Sequence, residues 1–514
     1  MYRDGALKSL WQQNLKKVNT NHQPLQEFYD VAVIGGGITG LTTALNLQKA
    51  GKKCVLFEAI NIGFGTTGGT TAHLNNFFDT PYSQVIKDFG EEEARLLAKA
   101  AREAILTVKA CVDELGIDCG FEKKTAWLFA IDEQQEKILD DVIKGARAVG
   151  VEMKEENHNP YNIPFTRIVS VPGQAQFDPV KYINALAEAF IDKGGHLFDK
   201  CRVMNIDQKE KELSVETARG TIRCSHAVYA THTPPGNISM HMRNAPYRSY
   251  ALAVTLQNNH YPDGPGYDLY DPYHYYRSQE VNGKMYLIAG GEDHKTGHDD
   301  NAAYCFQKLE NYVRGVFDVD EVAFKWSSQF YEPVDGLPYI GKANKGEEIY
   351  LATGFSGNGM IYGTLSGNII ADLILYNQSK YEKLFDPTRS KPIAGFTSFV
   401  KENADVVKSF IGDKISVDKI ESLQDLAPGE GRSVSYNGES LSAYKDDAGN
   451  VHLLKSACTH LGCNVKWNNA EKSWDCPCHG SRFGVDGSLL TGPAVKALEK
   501  VESDSRANAE YDSS

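Results

Sequence analysis

The chain has 514 residues, of which 41% are hydrophobic and 24% are charged, and its formal net charge is −13. This acidic balance argues against a nucleic-acid partner, because such partners are bound through clustered Lys and Arg side chains. The sequence has no run of about 20 apolar residues, the length that a membrane-spanning helix needs. Residues 1–24 also lack the apolar segment of a signal peptide, so we expect a cytoplasmic protein without a membrane span.

The first predicted unit is a strand, a glycine turn, a helix and a second strand. Apolar runs cover residues 29–34 and 53–58, and residues 38–50 between them have helical spacing. Two parallel strands that pair need a crossover connection, and a helix of this length supplies one. The segment therefore predicts a βαβ unit.

The glycine turn of this unit has the pattern G-x-G-x-x-G, formed by Gly35, Gly37 and Gly40. The first glycine permits a tight turn, the second lets the backbone approach a pyrophosphate, and the third lets the helix pack closely on the strand. Glu58 ends the second strand, where a carboxylate can accept hydrogen bonds from ribose hydroxyls. The pattern predicts a dinucleotide site, and the alternative is a glycine turn with a structural role alone.

Later elements extend this plan. Amphipathic helices are predicted over residues 91–115, 133–149 and 179–193. Residues 247–290 are rich in Tyr, Val, Ile and Leu with turn residues between, and they predict an antiparallel sheet that roofs a ligand pocket. We expect a Rossmann-type α/β domain interleaved with an antiparallel-sheet substrate domain.

Two further glycine-rich segments indicate which dinucleotide is bound. One covers residues 63–69, and the other covers residues 354–359 at the start of another predicted helix. Such a distant loop can close over the flavin end of FAD. No second strand-linked G-x-G-x-x-G is present, so a separate domain for NAD(P)H is not expected. The reductant is then a small organic substrate.

Residues 29–381 resemble the FAD-dependent D-amino-acid oxidase superfamily, which includes glycine and sarcosine oxidases and γ-glutamylputrescine-type oxidoreductases. The resemblance rests on the N-terminal glycine pattern and on residues 333–341 and 354–360. It implies FAD as the cofactor and an amine or amino acid as the substrate. It also implies contacts to FAD from five residues: Val203, Gly357, Asn358, Gly359 and Met360.

Three residues are candidates for contact with the substrate. His73 follows the second glycine-rich segment and is placed to face the flavin ring, although a structural histidine fits equally well. Arg277, on the predicted sheet, can present its planar fork to a substrate carboxylate; the alternative is a solvated strand arginine. His294 belongs to a polar cluster at residues 290–295 that reaches the active site or forms an ordinary charged loop.

After residue 415 the pattern changes to short strands and turns, which predicts a small all-β module. Four of the ten cysteines fall in this module, in the segments C-x-H-x-x-C and C-x-C-H, which contain the motifs C-x-H and C-x-x-H. Two cysteines and two histidines fit a Rieske [2Fe–2S] centre, but they also fit a tetrahedral zinc site. Two additional cysteines at equivalent places in the two motifs favour the iron–sulfur cluster.

Residues 415–501 resemble Rieske domains. The resemblance implies that Cys458, His460, Cys476 and His479 are the cluster ligands. It further implies a disulfide between the two additional cysteines, Cys463 and Cys478.

Together the two parts predict an FAD-dependent dehydrogenase that oxidises the C–N bond of an amine or amino acid. Electrons would pass from FAD to the cluster and then to an external one-electron acceptor. We expect a dehydrogenase because a built-in one-electron outlet serves no purpose when oxygen is the acceptor. The alternatives are an electron-transfer or redox-sensing module without a small-molecule substrate, and reverse electron flow from the cluster to the flavin.

The sequence also predicts the boundaries between these parts. An N-terminal extension covers residues 1–28, and the flavin-dependent part covers residues 29–384. A linker follows at residues 385–414, the cluster module at residues 415–502, and a tail at residues 503–514.

Overall fold

The structure is a computed structural model, and it describes residues 4–13, 18, 20, 24–209, 212–299, 301–389, 426–436 and 439–501. Most of the predicted linker, the start of the cluster module and the predicted tail lie outside these residues. Within the described residues, no helix is both long and apolar enough to cross a membrane. The domain boundaries proposed from the sequence stay predictions.

The first sheet contains the predicted βαβ unit. Strands β1 and β2 are apolar and almost wholly buried, and they pair in parallel, as their crossover helix α1 requires. Strand β10 pairs with the other side of β1, also in parallel. The eight strands of this sheet are β1 (Phe28–Ile34), β2 (Cys54–Phe57), β7 (His196–Phe198), β8 (Val203–Lys209), β9 (Glu212–Thr217), β10 (Gly220–Tyr229), β16 (Tyr339–Lys342) and β17 (Ile349–Thr353).

The second sheet contains the antiparallel strands predicted over residues 247–290. Its strand β11, next to the edge strand β15, pairs antiparallel with β14 on one side and with β15 on the other. Only the short pair of β12 with β4 is parallel among its described pairings. The nine strands are β3 (His73–Leu74), β4 (Glu122–Ala130), β5 (Lys154–Glu156), β6 (Arg167–Gln176), β11 (Asn244–Leu256), β12 (Gly266–Tyr267), β13 (Tyr275–Val281), β14 (Lys284–Lys295) and β15 (Val319–Pro333).

The helices cover the two sheets, and the N-cap residues explain where two of them begin. Asp132 and Asp178 each accept a hydrogen bond from the backbone of the following helix, which caps its N-terminus. The three predicted amphipathic helices agree with α4, α5 and α6. The described helices are α1 (Ile38–Lys49), α2 (Thr66–Gly69), α3 (Tyr82–Phe89), α4 (Glu91–Leu115), α5 (Glu133–Ala148), α6 (Pro179–Asp192), α7 (Ile238–His241), α8 (Ala302–Val316), α9 (Gly359–Tyr376) and α10 (Glu382–Phe385), with a 3₁₀ turn at Leu10–Gln12.

The strands of the two sheets alternate along the chain, so the two domains are interleaved as predicted. The C-terminal module is all-β in its described residues and consists of two small antiparallel sheets. The first sheet comprises β18 (Gly431–Tyr436), β19 (Glu439–Lys445) and β20 (Val451–Lys455). The second comprises β21 (Lys466–Asn468), β22 (Ser473–Asp475), β23 (Arg482–Gly484) and β24 (Leu489–Thr491).

Candidate active site

The glycine pattern forms the floor of a cavity of about 220 Å³ at the carboxyl end of β1. At Gly35 the backbone φ is +112°, and an added Cβ would lie 2.3 Å from the carbonyl oxygen of Ala230. At Gly40 an added Cβ would lie 2.0 Å from the carbonyl oxygen of Gly35. Both positions therefore need glycine, the first for its conformation and both for close backbone contact.

Other residues predicted to contact the cofactor line the same cavity. They are Gly37, Glu58, Val203, Gly359 and Met360. Glu58 accepts hydrogen bonds from the backbone N–H groups of Gly36 and Ile60, each at 2.8 Å. Burial raises the pKa of this carboxyl group, although those hydrogen bonds oppose the rise. The arrangement fits a dinucleotide, since bare backbone surrounds the place where the pyrophosphate would lie.

A second, larger cavity of about 440 Å³ adjoins the first, and Thr66, Ser356, Gly359 and Met360 line both. Gly357 and Asn358, the remaining predicted contacts of the late glycine loop, line this second cavity. Its walls include many aromatic side chains: Phe77, Phe78, Tyr82, Tyr267, Tyr270, Tyr273, Tyr275, Trp326 and Phe330. An apolar cavity with a few polar groups is the usual form of a small-molecule site.

His73 lines this second cavity, where the sequence places it. Its Nδ1 is hydrogen-bonded to the hydroxyl of Tyr267, and its buried Nε2 has no partner among the described residues. Burial, with a smaller effect from the charge of Arg277, holds the pKa of His73 well below its usual range. His73 is therefore neutral at physiological pH.

Arg277 and His294 do not line the cavity. Arg277 is fully buried, and its guanidinium donates to the carbonyl oxygens of Ala72 and Phe177 and to Oε1 of Gln279. It is thus neither a solvated strand arginine nor open to the cavity, and its predicted contact with a substrate carboxylate would require these bonds to change. His294 instead contacts Tyr250.

The two cysteine–histidine loops come together as predicted. Cys463 and Cys478 form a disulfide with an S–S distance of 2.05 Å. Cys458 and Cys476 are buried and lie within hydrogen-bonding distance of each other. The disulfide pairing implied by the resemblance to Rieske domains is therefore confirmed.

The two histidines of these loops complete a donor set that fits a [2Fe–2S] cluster. The rings of His460 and His479 lie with their centroids 5.1 Å apart. In both rings Nδ1 is buried and has no hydrogen-bond partner among the described residues. Buried polar atoms without partners are costly, so these two nitrogens are placed for a ligand. Two thiols and two such nitrogens match the two-cysteine, two-histidine set of a Rieske centre.

Comparison with known families agrees with both sites. The family model described as FAD dependent oxidoreductase (DAO) matches residues 30–373, and the Rieske [2Fe-2S] domain model matches residues 416–502. The chain belongs to the DAO family. Its DAO part implies FAD as cofactor, and its C-terminal Rieske domain implies a [2Fe–2S] cluster.

One relative matches nearly the whole chain, and the others match about 70% of it. YhfW of Bacillus subtilis (strain 168), named as a Rieske 2Fe-2S iron-sulfur protein, is 33% identical over 478 residues, which are 92% of this chain and 94% of YhfW. Gamma-glutamylputrescine oxidoreductase of Escherichia coli (strain K12) is 23% identical over 69% of this chain and 85% of its own. The crystal structure of glycine oxidase from Geobacillus kaustophilus covers 71% of this chain and all of its own, with 21% identity and a TM-score of 0.61. That last likeness shows the shared fold.

The Rieske domain packs directly on the DAO part through its cluster-binding loops. His241, in the one-turn helix α7, has its Nδ1 3.0 Å from Nε2 of His460. The hydroxyl of Tyr331 donates to the carbonyl oxygen of His479, and Nε2 of Gln329 donates to that of Gly480. The predicted cluster site thus faces the part that carries the flavin site.

A buried ionic network joins the two parts at a second place. Arg482 of the Rieske domain is fully buried and contacts Asp475 of the same domain and Asp4 of the N-terminal segment. Arg248 of β11 lies 3.7 Å from Asp475 and donates to Ser327. The N-terminal segment, predicted only as an extension, is therefore part of this contact.

Sequence reasoning missed the residues that depend on contacts distant in the chain. Asp79 and Asp293 both line the larger cavity. Asp293 could have been predicted from the sequence, because it precedes His294 in the polar cluster noted above and the side chains of a strand alternate between its two faces. Asp79 and His241 carry no signal in the sequence, since neither lies in a motif.

Proposed function

We propose that this protein is an FAD-dependent dehydrogenase that oxidises a C–N bond in an amine or amino acid and sends the electrons through its Rieske cluster to an external one-electron acceptor. The observation that carries the proposal is the placement of the two sites. Residues 490–492, 494 and 495 of the Rieske domain form part of the wall of the dinucleotide cavity. A covalently joined electron acceptor at this wall has a high effective concentration.

The proposed roles follow from the donor sets. Gly35, Gly37, Gly40 and Glu58 would hold the ADP half of FAD, and the late glycine loop would contact its flavin half. FAD, when bound, supplies an acceptor that takes two electrons together and releases them singly. Four residues hold the cluster: Cys458, His460, Cys476 and His479.

The larger cavity favours an enzyme over an electron-transfer module without a small substrate. It adjoins the dinucleotide cavity, and aromatic side chains form much of its wall, with polar groups between them. The names of two relatives, a gamma-glutamylputrescine oxidoreductase and a glycine oxidase, support an amine or amino acid as the substrate class.

The proposed route is tested by an anaerobic screen of amines and amino acids on the purified holoprotein. Flavin bleaching is followed optically, and the reduced cluster is followed by EPR. We expect a substrate to bleach the flavin and then to produce the Rieske signal without any added mediator. Failure of every amine and amino acid to bleach the flavin, in protein that dithionite reduces fully, would favour the electron-transfer module.

His241 has a proposed positioning role toward the cluster. Its Nε2 lies 2.7 Å from the carbonyl oxygen of Pro234, which can only accept, so Nε2 carries the hydrogen. In a neutral imidazole Nδ1 is then an acceptor, and it accepts from Nε2 of His460. This hydrogen bond fixes the tautomer of His460 that leaves Nδ1 free for iron.

Replacing His241 with phenylalanine should raise the reduction potential of the cluster by about 60 mV. The lost acceptor makes the His460 ring a weaker electron donor, which destabilises the oxidised cluster; about 1.4 kcal/mol corresponds to about 59 mV for one electron. The potential is measured by redox titration followed by EPR. His241→Gln retains a side-chain acceptor and serves as the control. Equal potentials in the two variants would contradict this role.

A further inference from the structure

The charged residues that line the larger cavity are all acidic. Four aspartates are among its lining residues, namely Asp79, Asp268, Asp271 and Asp293, but the carboxylate of Asp268 has no exposed surface and is paired with His274 at 2.8 Å. None of its described lining residues is Lys or Arg. A carboxylate on the substrate would therefore meet like charges and no cation inside this cavity.

Asp79 lies in the wall of the cavity, beside the late glycine loop. Its Oδ2 accepts from the backbone N–H of Gly357 at 2.6 Å, and its Oδ1 accepts from the hydroxyl of Tyr273 at 2.9 Å. The side chain has accessible surface even though it is enclosed by protein, because that surface faces the cavity. Burial raises the pKa of this carboxyl group, and the two hydrogen bonds oppose the rise.

Asp293 projects into the same cavity from β14. Its Oδ1 is buried and has no hydrogen-bond partner among the described residues. Burial raises the pKa of Asp293 to about 7, and the negative charge of Asp79 contributes to the rise. The two carboxyl groups are thus close enough to repel each other, and a cation between them would relieve that repulsion.

Aromatic rings surround these two carboxyl groups. Tyr273 and Tyr275 lie with ring centroids 5.8 Å apart, and Tyr267 packs edge-on against Phe77 at 5.1 Å. The faces of such rings attract organic cations, most strongly where water is excluded. The aromatic walls and the acidic groups of the cavity therefore both favour an organic cation as the ligand.

We propose that the substrate is an organic ammonium ion without a carboxylate beside its nitrogen, bound with that nitrogen between Asp79 and Asp293. This inference rests on the proposed function and narrows its substrate class. An α-amino acid would place its carboxylate among aspartates, and Arg277 is outside the lining with its guanidinium bonded to protein acceptors.

Asp293 also provides an acceptor for a proton of the ammonium group. Oxidation at carbon needs the nitrogen lone pair, so the bound ammonium must first lose one proton. The N–H bond breaks, and that proton forms an O–H bond with Oδ1 of Asp293, which is otherwise without a partner. A carboxylate that titrates near neutrality is suited to this transfer.

The inference is tested by equilibrium binding to the FAD-loaded protein, followed anaerobically through the flavin spectrum and, where the flavin bleaches, through the initial rate of bleaching at limiting ligand. Three pairs are compared, each an amine and the amino acid that differs by one carboxylate: phenethylamine and phenylalanine, butylamine and norvaline, isobutylamine and valine. We expect the amine to be favoured at least tenfold in at least one pair, and 3-phenylpropionate not to bind.

Substitution at the two aspartates then tests the assigned contact. Asp293→Asn and Asp79→Asn should each weaken the binding of the preferred amine at least tenfold, since each removes a charged partner of the ammonium. Asp263→Asn makes the same charge change at a side chain that is 85% exposed and remote from the cavity, and it should leave affinity unchanged. FAD content is measured in every variant, so that loss of the cofactor is not mistaken for loss of the amine.

Two results would overturn the inference. One is the absence of any pair in which the amine is favoured at least tenfold over its amino acid, and the other is an unchanged amine affinity in both aspartate variants. Bleaching by amino acids alone would overturn the inference and leave the proposed C–N oxidation standing. No binding or bleaching by either member of any pair would overturn both.

Discussion

Replacing Arg482 with methionine is expected to destabilise the Rieske domain by about 3–5 kcal/mol. The guanidinium donates to Asp475 at 3.0 Å, to Asp4 at 2.8 Å and to Ser473 at 2.9 Å, and the side chain has no exposed surface. Burial acts to raise the pKa of Asp475, but the charges of Arg482 and Arg248 lower it overall. Removal of Arg482 would leave two buried carboxylates without their main partner.

This expectation is checked by denaturant unfolding of the holoprotein, followed through the visible circular dichroism of the cluster. Arg223→Met is the matched control, because Arg223 forms its ion pairs with Glu27 and Glu212 at the surface. Exposed pairs contribute little to stability, so the control should keep the wild-type midpoint. Equal midpoints in the two variants would mean that the buried network does not stabilise the domain.

The second large effect is expected at Gly40. An alanine Cβ there would overlap the backbone carbonyl of Gly35, so helix α1 would have to move away from the phosphate-binding turn. Overpacking of this kind costs about 1–3 kcal/mol. We expect Gly40→Ala to bind FAD at least about tenfold more weakly, since about 1.4 kcal/mol is one factor of ten.

The affinity is measured by titrating FAD into apoprotein and following the quenching of flavin fluorescence. Gly315→Ala is the control: Gly315 also lies in a helix, but an added Cβ there meets no atom within 4 Å. That variant should bind FAD like the wild type. An unchanged FAD affinity for Gly40→Ala would show that the close approach of helix and turn is not needed for the cofactor.

The parts of this protein that could be predicted from its sequence depend on residues close together in the chain. Gly35 to Gly40 form one short segment, a turn that leads into the first residues of helix α1, so the spacing of its glycines determines which backbone groups face the cavity. The two cysteine–histidine motifs are likewise short. In both cases conformation and chemistry are encoded in the same few residues.

The substrate side could not be predicted in the same way, because its walls come from distant segments. Asp79 follows β3, whereas Asp293 lies on β14, and only the folded sheet brings them to one cavity. Successive side chains of a strand also point to opposite faces of the sheet. A prediction that is wrong by one residue therefore selects a side chain on the wrong face. The prediction of His294 shows this, since its neighbour Asp293 is the residue that lines the cavity.

The contact between the two modules was beyond sequence reasoning for a related reason. His241 and His460 are separated by 219 positions, and the helix that carries His241 is a single turn without a motif. Asp4 likewise meets Arg482 only because the N-terminal segment crosses to the Rieske domain. Such pairings are set by docking, which no local pattern encodes.

The shared wall of the dinucleotide cavity couples assembly to cofactor loading. A ligand that contacts both modules binds their docked arrangement more tightly than the separated one. Docking must then increase the affinity for the ligand by the same factor. FAD is therefore expected to stabilise the docked arrangement of the two modules. The docked Rieske domain is in turn expected to strengthen the binding of FAD. A protein whose Rieske domain is undocked is therefore expected to exchange its flavin with the medium more readily.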